Sequence, residues 1–458
     1  MLDTGDTAWM LASTALVLLM TPGLALFYGG MVRSKGVLNM MMMSFSAIGL
    51  IGILWALYGY SIAFGNDVGG GLLGDPTEAF GLSGLFVGDY GAEEVAYPLS
   101  GTIPALLFVA FQATFAIITV ALISGAVADR MRFGAWLLFA GVWATVVYFP
   151  VAHWVFAFSD EESGVVGGWI ANDLAAIDFA GGTAVHINAG AAALALAIVL
   201  GKRRGWPREP MRPHNLTLVM LGAGLLWFGW FGFNAGSALG ANGTAAFTLL
   251  NTILATCAAM LGWLVVERIR DGKPTSLGAA SGIVAGLVAI TPACSSVSPL
   301  GGIAIGAVAG VLCALAVGLK FRFGYDDSLD VVGVHLVGGL VGTVLIGLFA
   351  DPGSPAAVAG LFYGGGVDQL WRQVIGALAV LAYSFVVSLV LALLLKATIG
   401  IRLSDEGEVA GIDESEHAET GYDFSTLRSS GGGLGTPRPD AATPAAAQHV
   451  AAASGKEG

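Results

Sequence analysis

The chain has 458 residues, of which 56% are hydrophobic and only 11% are charged. A soluble globular domain carries about 25% charged residues, so this composition excludes an ordinary soluble protein. The 68 glycines are typical of helices that pack closely in lipid, and we predict an all-α polytopic membrane protein. The net charge of −12 identifies no partner; we expect contact with membrane lipid and none with nucleic acid.

Apolar segments recur along the chain, and each is close to the ~20 residues that a helix needs to cross a bilayer core. Basic residues follow every second one, whereas the intervening loops contain no Lys or Arg. Because basic loops mark the cytoplasmic side, the N-terminus is predicted outside and the C-terminus inside. The eleven predicted spans are 8–30, 40–64, 101–127, 133–155, 180–200, 215–239, 245–267, 277–294, 300–319, 329–350 and 370–398.

Three regions differ in composition. Residues 1–400 form the predicted membrane domain, and residues 401–424 form an acidic segment predicted to lie at the cytoplasmic face. Residues 425–458 contain little beyond Ala, Gly, Ser, Thr and Pro, which predicts a low-complexity, disordered tail. The three cysteines have no metal-ligand spacing, and we expect no metal or other cofactor.

Two histidines lie inside predicted spans, where ionisable residues are costly and usually functional. Spans one to five and six to ten start on opposite sides, as in an inverted 5+5 repeat with a site near the bilayer midplane. The eleventh helix is then peripheral. His186 in span five and His335 in span ten occupy equivalent positions of the two halves.

An aspartate precedes each histidine by eight residues: Asp178 before His186, and Asp327 before His335. Eight helical residues span about 12 Å, so both imidazoles approach the middle of a core about 30 Å thick from opposite sides. They could meet and share a proton, with the aspartates as structural caps. Two alternatives stay open: each histidine only hydrogen-bonds a neighbouring helix, or both ligate a haem.

Seven segments resemble the Amt/Mep/Rh ammonium transporter family, and within it the Amt branch, over about residues 8–424. The resemblance implies a transporter of ammonium or ammonia in the cell membrane, and no enzyme. It also implies an eleven-helix fold assembled as a homotrimer with one pore in each subunit. The segments are FYGGMVRSKGVLN (27–39), AFQATFAIITVALISGAVADRMRF (110–133), DFAGGTAVHINAG (178–190), PHNLTLVMLGAGLLWFGWFGFNAGSA (213–238), NTILATCAAMLGW (251–263), GLVAITPAC (286–294) and DDSLDVVGVHLVGGLVG (326–342).

The resemblance also implies roles for individual residues. His186 and His335 would line the pore, Phe115 and Phe233 would form its outer gate, and Ser237, Trp230 and Phe111 would belong to the outer vestibule. One position departs from the family pattern, because Phe156 stands where a vestibule tryptophan is usual. Either Phe156 serves with a weaker π face, or Trp154 or Trp169 replaces it.

Three functions remain to be separated: transport, ammonium sensing, and redox chemistry on a haem. The sequence after residue 400 leaves no room for a folded output domain, which favours transport over sensing. The resemblance further implies that the 401–424 segment couples neighbouring pores and supports docking of a PII-type nitrogen regulatory protein. The residues leave open whether charge accompanies each ammonia.

Overall fold

The computed structural model describes residues 1–91, 96–162 and 164–422. Residues 1–421 form one compact unit. The predicted tail, 425–458, lies outside the described residues, as do the last two residues of the 401–424 segment. The boundaries at residues 400 and 424 stay predictions.

Ten helices in the described part of the chain are long and apolar enough to cross a membrane, which confirms the prediction of a multi-pass helical protein. An eleventh apolar helix, Ser276–Ile290, has 15 residues, fewer than the ~20 that cross the hydrocarbon core. The count of eleven spans therefore stays a prediction. The ten spans are Thr4–Met31, Ser34–Phe64, Ala105–Ala126, Phe133–Phe156, Gly182–Leu200, Leu216–Gly236, Gly243–Arg270, Pro299–Phe323, Val332–Phe349 and Asp368–Thr398.

Short π-helical turns interrupt several spans, and one small antiparallel hairpin, β1 (Leu99–Ser100) with β2 (Ile103–Pro104), precedes the third span. The α-helices are α1 (Thr4–Met31), α2 (Val37–Leu54), α3 (Tyr60–Phe64), α4 (Ala105–Ile123), α5 (Phe133–Trp143), α6 (Phe149–Phe156), α7 (Asn188–Leu200), α8 (Leu216–Gly236), α9 (Gly243–Arg270), α10 (Ser276–Ile290), α11 (Pro299–Ala316), α12 (Leu319–Phe323), α13 (Val337–Phe349), α14 (Asp368–Thr398) and α15 (Asp405–Ala410). The π turns are Trp55–Gly59, Ala144–Tyr148, Gly182–Ile187, Val332–Leu336 and Asp413–His417.

Glycine lets the helices approach to backbone contact. A Cβ at Gly222 of α8 would overlap the backbone of Phe27 in α1, and a Cβ at Gly306 of α11 would overlap the carbonyl of Ala255 in α9. Small residues at such crossings maximise van der Waals contact between helices in lipid. Glycines of this chain therefore lie at positions where two helices cross closely around the central spans.

Helix α14 lies against α7 and α13, and polar contacts join it to α7 and α5. The hydroxyl of Ser384 donates to the carbonyl of Asn188 at 2.8 Å, and the Ser388 hydroxyl accepts the indole N–H of Trp143 at 2.8 Å. Arg372, a basic residue at the start of this helix, bonds Asp368 at 2.8 Å and the Leu174 carbonyl at 3.0 Å. These local partners explain why a single basic residue occurs where the neighbouring loops have none.

The 401–422 segment packs onto the starts of α2 and α5. The Asp413 carboxylate accepts the backbone N–H groups of Leu38 at 3.0 Å and Asn39 at 2.7 Å. Glu416 accepts the N–H of Phe133 at 2.9 Å. Carboxylates at helix N-termini satisfy unpaired N–H groups and favour the positive end of the helix dipole, so this acidic segment caps two helices.

Candidate functional site

Both histidines lie in π-helical turns that open their helices, His186 in Gly182–Ile187 and His335 in Val332–Leu336. Such turns are rare and occur frequently at functional sites. The two spans run antiparallel: Arg203, just beyond the end of the first, bonds Asp326, just before the start of the second. We call the two ends of the bundle the Asp178 end and the Asp327 end.

The first turn is organised by Asp178. Its carboxylate accepts four backbone N–H bonds, from Gly181 and Gly182 at 2.8 and 2.7 Å and from Thr183 and Ala184 at 2.8 and 3.0 Å. Burial raises the pKa of Asp178 above its ordinary value, against the lowering effect of these four bonds. The carboxylate therefore holds the first turn of the His186 span from within the protein.

The second turn has a similar but less complete arrangement. Asp327 accepts the backbone N–H of Val332 at 2.7 Å through Oδ2, while Oδ1 is buried without a hydrogen-bond partner. Burial, partly offset by the charge of Lys320, raises the pKa of Asp327 to about 6. The ammonium of Lys320 donates to the Asp327 carbonyl at 3.0 Å and to Asp330 at 2.6 Å. The hydrogen bonds of both aspartate carboxylates go to backbone N–H groups, so the carboxylates act on the turns and not on the imidazoles.

Asp326, beside Asp327, is half of a buried ion pair. Its carboxylate accepts two bonds from the Arg203 guanidinium, both at 2.9 Å. Burial would raise the pKa of Asp326, but Arg203 outweighs it and holds this pKa below its ordinary value. Bidentate, charge-assisted bonds of this kind fix geometry as well as contributing energy, and this one joins the loop after α7 to the loop before the His335 turn.

The two imidazoles meet at the centre of the bundle. Nδ1 of His335 lies 3.2 Å from Nδ1 of His186, and the rings stack with centroids 5.3 Å apart and planes 25° apart. One Nδ1 must donate while the other accepts. Both side chains are buried, and Nε2 of His186 has no hydrogen-bond partner. The direct contact leaves no room for a haem between the rings.

A narrow cavity of about 10 Å³ runs beside the histidines. That is about the space one water-sized molecule occupies. The imidazoles are its main polar groups, because the remaining side chains are aliphatic or aromatic, apart from the Trp230 indole. They are Met20, Leu24, Phe27, Ile118, Leu122, Leu226, Trp230, Phe233 and Val284. The geometry suits a small neutral molecule that can hydrogen-bond to imidazole, and disfavours a hydrated ion.

Two phenylalanines close this cavity toward the Asp178 end. The rings of Phe115 and Phe233 lie 4.3 Å apart with planes 32° apart, and both are buried. Phe233 also stacks on His186 at 6.1 Å. Phe111 packs edge-on against Phe115 at 4.9 Å, behind the gate. The predicted gate residues therefore form one stack that ends on the histidine pair.

Trp230 belongs to the same stack. Its ring lies 5.4 Å from that of His186 with planes 20° apart. Its indole N–H donates to the Thr291 hydroxyl at 2.8 Å, just after the end of α10, and Thr291 in turn donates to the Leu287 carbonyl at 2.7 Å. Trp230 thus lies beside His186, and Thr291 is a neighbour that sequence reasoning missed.

A cavity of about 300 Å³ lies beyond the gate and contains Phe115, Phe156 and Ser237 on its walls. The Ser237 hydroxyl donates to the Phe233 carbonyl at 2.8 Å, which leaves its lone pairs available to a hydrogen-bond donor. Most of the other side chains on these walls were not predicted, and four of them bear on the site. Two of the four follow a readable signal, because together with Phe115 they have the 108, 112, 115 spacing of one helix face. The four are Phe108, Gln112, Phe158 and Phe179.

The tryptophans proposed as substitutes for the missing vestibule indole lie elsewhere. The indole of Trp154 donates to the Leu72 carbonyl at 2.8 Å, and its ring packs against Trp169 at 6.0 Å and Tyr383 at 4.7 Å. Neither tryptophan is among the residues lining the cavity, whereas Phe156 is. Of the three aromatic residues, only Phe156 lines this cavity, and its role in binding stays a prediction.

These features define a multi-pass helical membrane protein with an aromatic mouth and a narrow apolar path that passes two joined histidines. Comparison with known proteins agrees with that class. The Ammonium Transporter Family matches residues 8–422, and the chain belongs to this family. Membership confirms the predicted family and the expectation of a transporter and not an enzyme.

The similarity to individual proteins is high over most of the chain. An ammonium transporter of Mycobacterium tuberculosis (strain H37Rv) is 69% identical over 441 residues, covering 93% of this chain and 92% of the relative. One of Corynebacterium glutamicum is 46% identical, covering 95% and 92%. Among solved structures, Saccharomyces cerevisiae Mep2 matches with a TM-score of 0.78 at 35% identity over 88% of both chains. A sensor Amt protein matches with a TM-score of 0.81 at 28% identity, covering 90% of this chain and 98% of that one.

Proposed function

We propose that this protein carries ammonium across the membrane by capturing the cation at the Ser237 cavity, removing its proton, and conducting ammonia past His186 and His335. The observation that carries the proposal is the contact between the two imidazoles, 3.2 Å from Nδ1 to Nδ1, inside a cavity of about 10 Å³. A neutral molecule that accepts or donates one hydrogen bond fits this cavity, and ammonia is such a molecule.

Capture takes place on aromatic faces and a hydroxyl. Ammonium donates a hydrogen bond to the Ser237 hydroxyl and rests against the rings of Phe115 and Phe156, which attract a cation through their quadrupoles. Each such contact contributes about 0.5–1 kcal/mol at an exposed site and ~2 when desolvated. The lining residues that the structure describes include no carboxylate, and we propose that they hold the cation weakly enough for it to move on.

Passage requires loss of the proton. A bare cation in an apolar cavity costs far more than the contacts available there can offset, whereas ammonia is neutral. Ammonia passes the Phe115–Phe233 pair when the rings move apart and then hydrogen-bonds to Nε2 of His186, which has no other partner. Potassium has no proton to give up, so this step separates two cations of similar size.

We propose that the proton follows separately through the imidazole pair. The two rings are joined through their Nδ1 atoms. When one imidazole takes up a proton on Nε2, it can transfer its Nδ1 proton to the Nδ1 of the other ring, which then releases a proton from its own Nε2. Ammonia and proton then recombine to ammonium at the far side, so that atoms and charge balance. The relay predicts one charge moved for each ammonia.

We further propose eleven spans in an inverted 5+5 repeat, with α14 as the peripheral eleventh helix and the N-terminus outside. The sorting of basic residues along the sequence supports this orientation, which puts the Asp178 end outside and the 401–422 segment in the cytoplasm. By family resemblance we propose a homotrimer. A PII-type regulator that binds the 401–422 segment would act on the helix starts that Asp413 and Glu416 cap.

Replacement of the histidines tests the proposal. His186→Ala and His335→Ala should each reduce ammonium uptake to the background of protein-free liposomes, or make the protein leak potassium. Uptake is followed in proteoliposomes by an encapsulated pH dye and by current recording after ammonium pulses. His417→Ala, which changes a histidine of the 401–422 segment, is the matched control and should conduct. Selective uptake at the wild-type rate in both pore variants would show the proposal to be wrong.

A further inference from the structure

The loop between α6 and the His186 span brings a phenylalanine to the mouth of the path. Phe158 lines the 300 Å³ cavity and also a second cavity of about 540 Å³ that lies toward Asp178. Residues shared by both cavities are Phe156, Phe158, Phe179 and Ser237. Phe158 therefore lies where the two cavities meet, next to the hydroxyl that the proposed function assigns to ammonium.

The loop is held in place by hydrogen bonds at both of its ends. Asp160 and Val165 pair through two backbone bonds of 2.9 and 3.0 Å, which close the turn that follows Phe158. The backbone N–H of Ser159 donates to the Asn172 side chain at 2.8 Å. The N–H of Val166 donates to the Asn66 side chain at 2.7 Å. The backbone that follows Phe158 is therefore held by backbone and side-chain amide contacts.

The ring of Phe158 is 68% exposed although it lies on a cavity wall. Single exposed apolar side chains are common and identify no function by themselves, so the position of this ring on both cavities carries the argument. Among the described residues that line the smaller cavity there is no carboxylate, so the groups they offer to a cation are ring faces, the hydroxyls of Ser100 and Ser237, and the Gln112 amide. An exposed ring face at this place is available to an arriving cation.

We propose that Phe158 is a specificity-determining residue of the ammonium site, in which its ring supplies a cation–π face at the junction of the two outer cavities. This inference deepens the proposed function and rests on it. Phe156 alone offers a smaller π face than an indole; a second phenylalanine two residues further along the chain makes up for the difference. The loop after α6 then contributes to substrate affinity, not only to the shape of the surface.

The test compares three side chains at one position by the ammonium concentration that gives half-maximal uptake into proteoliposomes. Phe158→Leu keeps apolar bulk and removes the π face, and should raise that concentration about two- to fivefold, the effect of one exposed cation–π contact. Phe158→Trp strengthens the π face and should lower it below the wild-type value. The maximal rate should not change in either variant, because Phe158 lies outside the narrow cavity beside the histidines.

Val166→Ala is the matched control, since it removes an apolar side chain from the same loop and cavity without changing a ring. It should leave the half-saturating concentration at the wild-type value. Equal half-saturation in wild type, Phe158→Leu and Phe158→Trp would overturn the role of Phe158 while leaving the proposed function in place. A wild-type protein without any ammonium-dependent uptake would overturn the proposed function and this inference together.

Discussion

The contact between Trp230 and Thr291 allows the energetics of the histidine stack to be measured. Replacing Thr291 by valine keeps almost the same shape and removes the hydroxyl that accepts the indole N–H at 2.8 Å. Both residues are buried, so water cannot take the place of the hydroxyl. The indole, which stacks on His186 at 5.4 Å, is then left with an unsatisfied donor.

The cost follows from these contacts. A buried donor left without a partner costs about 1–3 kcal/mol. Thr291→Val also loses the bond from its own hydroxyl to the Leu287 carbonyl. Thr256→Val is a control for that second loss, because the buried Thr256 donates to the Thr252 carbonyl in the same way, at 2.6 Å. The difference between the two variants isolates the indole bond, and we expect it to be about 1–3 kcal/mol.

Thermal unfolding in detergent measures the stability, and proteoliposome uptake measures the function. Thr291→Val should have the lower Tm of the two variants and a reduced uptake rate, because Trp230 no longer holds the plane against which His186 stacks. Thr291→Ser restores the hydroxyl and should restore both quantities. If Thr291→Val and Thr256→Val unfold at the same temperature and transport equally fast, the indole bond does not support the histidine stack.

Two further changes have defined outcomes. The pKa of Asp327 is about 6 in the folded protein against about 3.9 for a free side chain. The stability that its protonated form contributes is therefore complete below about pH 4 and is lost as the pH rises through about 6. The Tm should fall across that interval, and Asp327→Asn should flatten the profile of Tm against pH. An unchanged slope in the variant would assign the titration to another group. Gly342→Ala should destabilise the protein by about 1–3 kcal/mol, because its Cβ would overlap the carbonyl of Ala289. Gly49→Ala is the control, because its Cβ would meet nothing within 4 Å, and it should leave the Tm almost unchanged. A similar loss of stability at both positions would contradict the view that glycine is needed where helices cross closely.

Much of the helical architecture was accessible from hydropathy, whereas the orientation inferred from the sorting of basic residues stays a prediction. Ten of the predicted spans correspond to helices of sufficient length, although the second begins at Ser34 rather than at residue 40. The exception is the helix Ser276–Ile290, where the predicted segment 277–294 continues four residues too far. Its last residues, 291–294, are uncharged but form a turn in which Thr291 contacts Trp230. The absence of charge alone does not distinguish a buried turn from a helix.

Part of the candidate site could also be predicted from the sequence, in this case from residue spacing and not from hydropathy. The equal spacing from aspartate to histidine in both segments predicts that His186 and His335 reach the same depth, and their rings are in contact. The sequence did not show which of Phe156, Trp154 and Trp169 lines the outer cavity, because the position of Trp154 follows from its bond to the distant Leu72 carbonyl. Contacts between a helix end and a distant loop leave no periodic signal in the sequence.

The π turns have a consequence for how these two helices can change over evolution. A π turn contains one more residue than the α-helical turn it replaces, and each residue of an α-helix turns the chain by about 100°. The Asp178 carboxylate binds the N–H groups of residues 181–184, so deleting a single residue between these positions and His186 would shift the imidazole by about 100° around the helix relative to this cap. The same holds between Asp327 and His335. Along these two stretches, substitutions can accumulate one at a time, whereas a change in chain length separates the histidines at once.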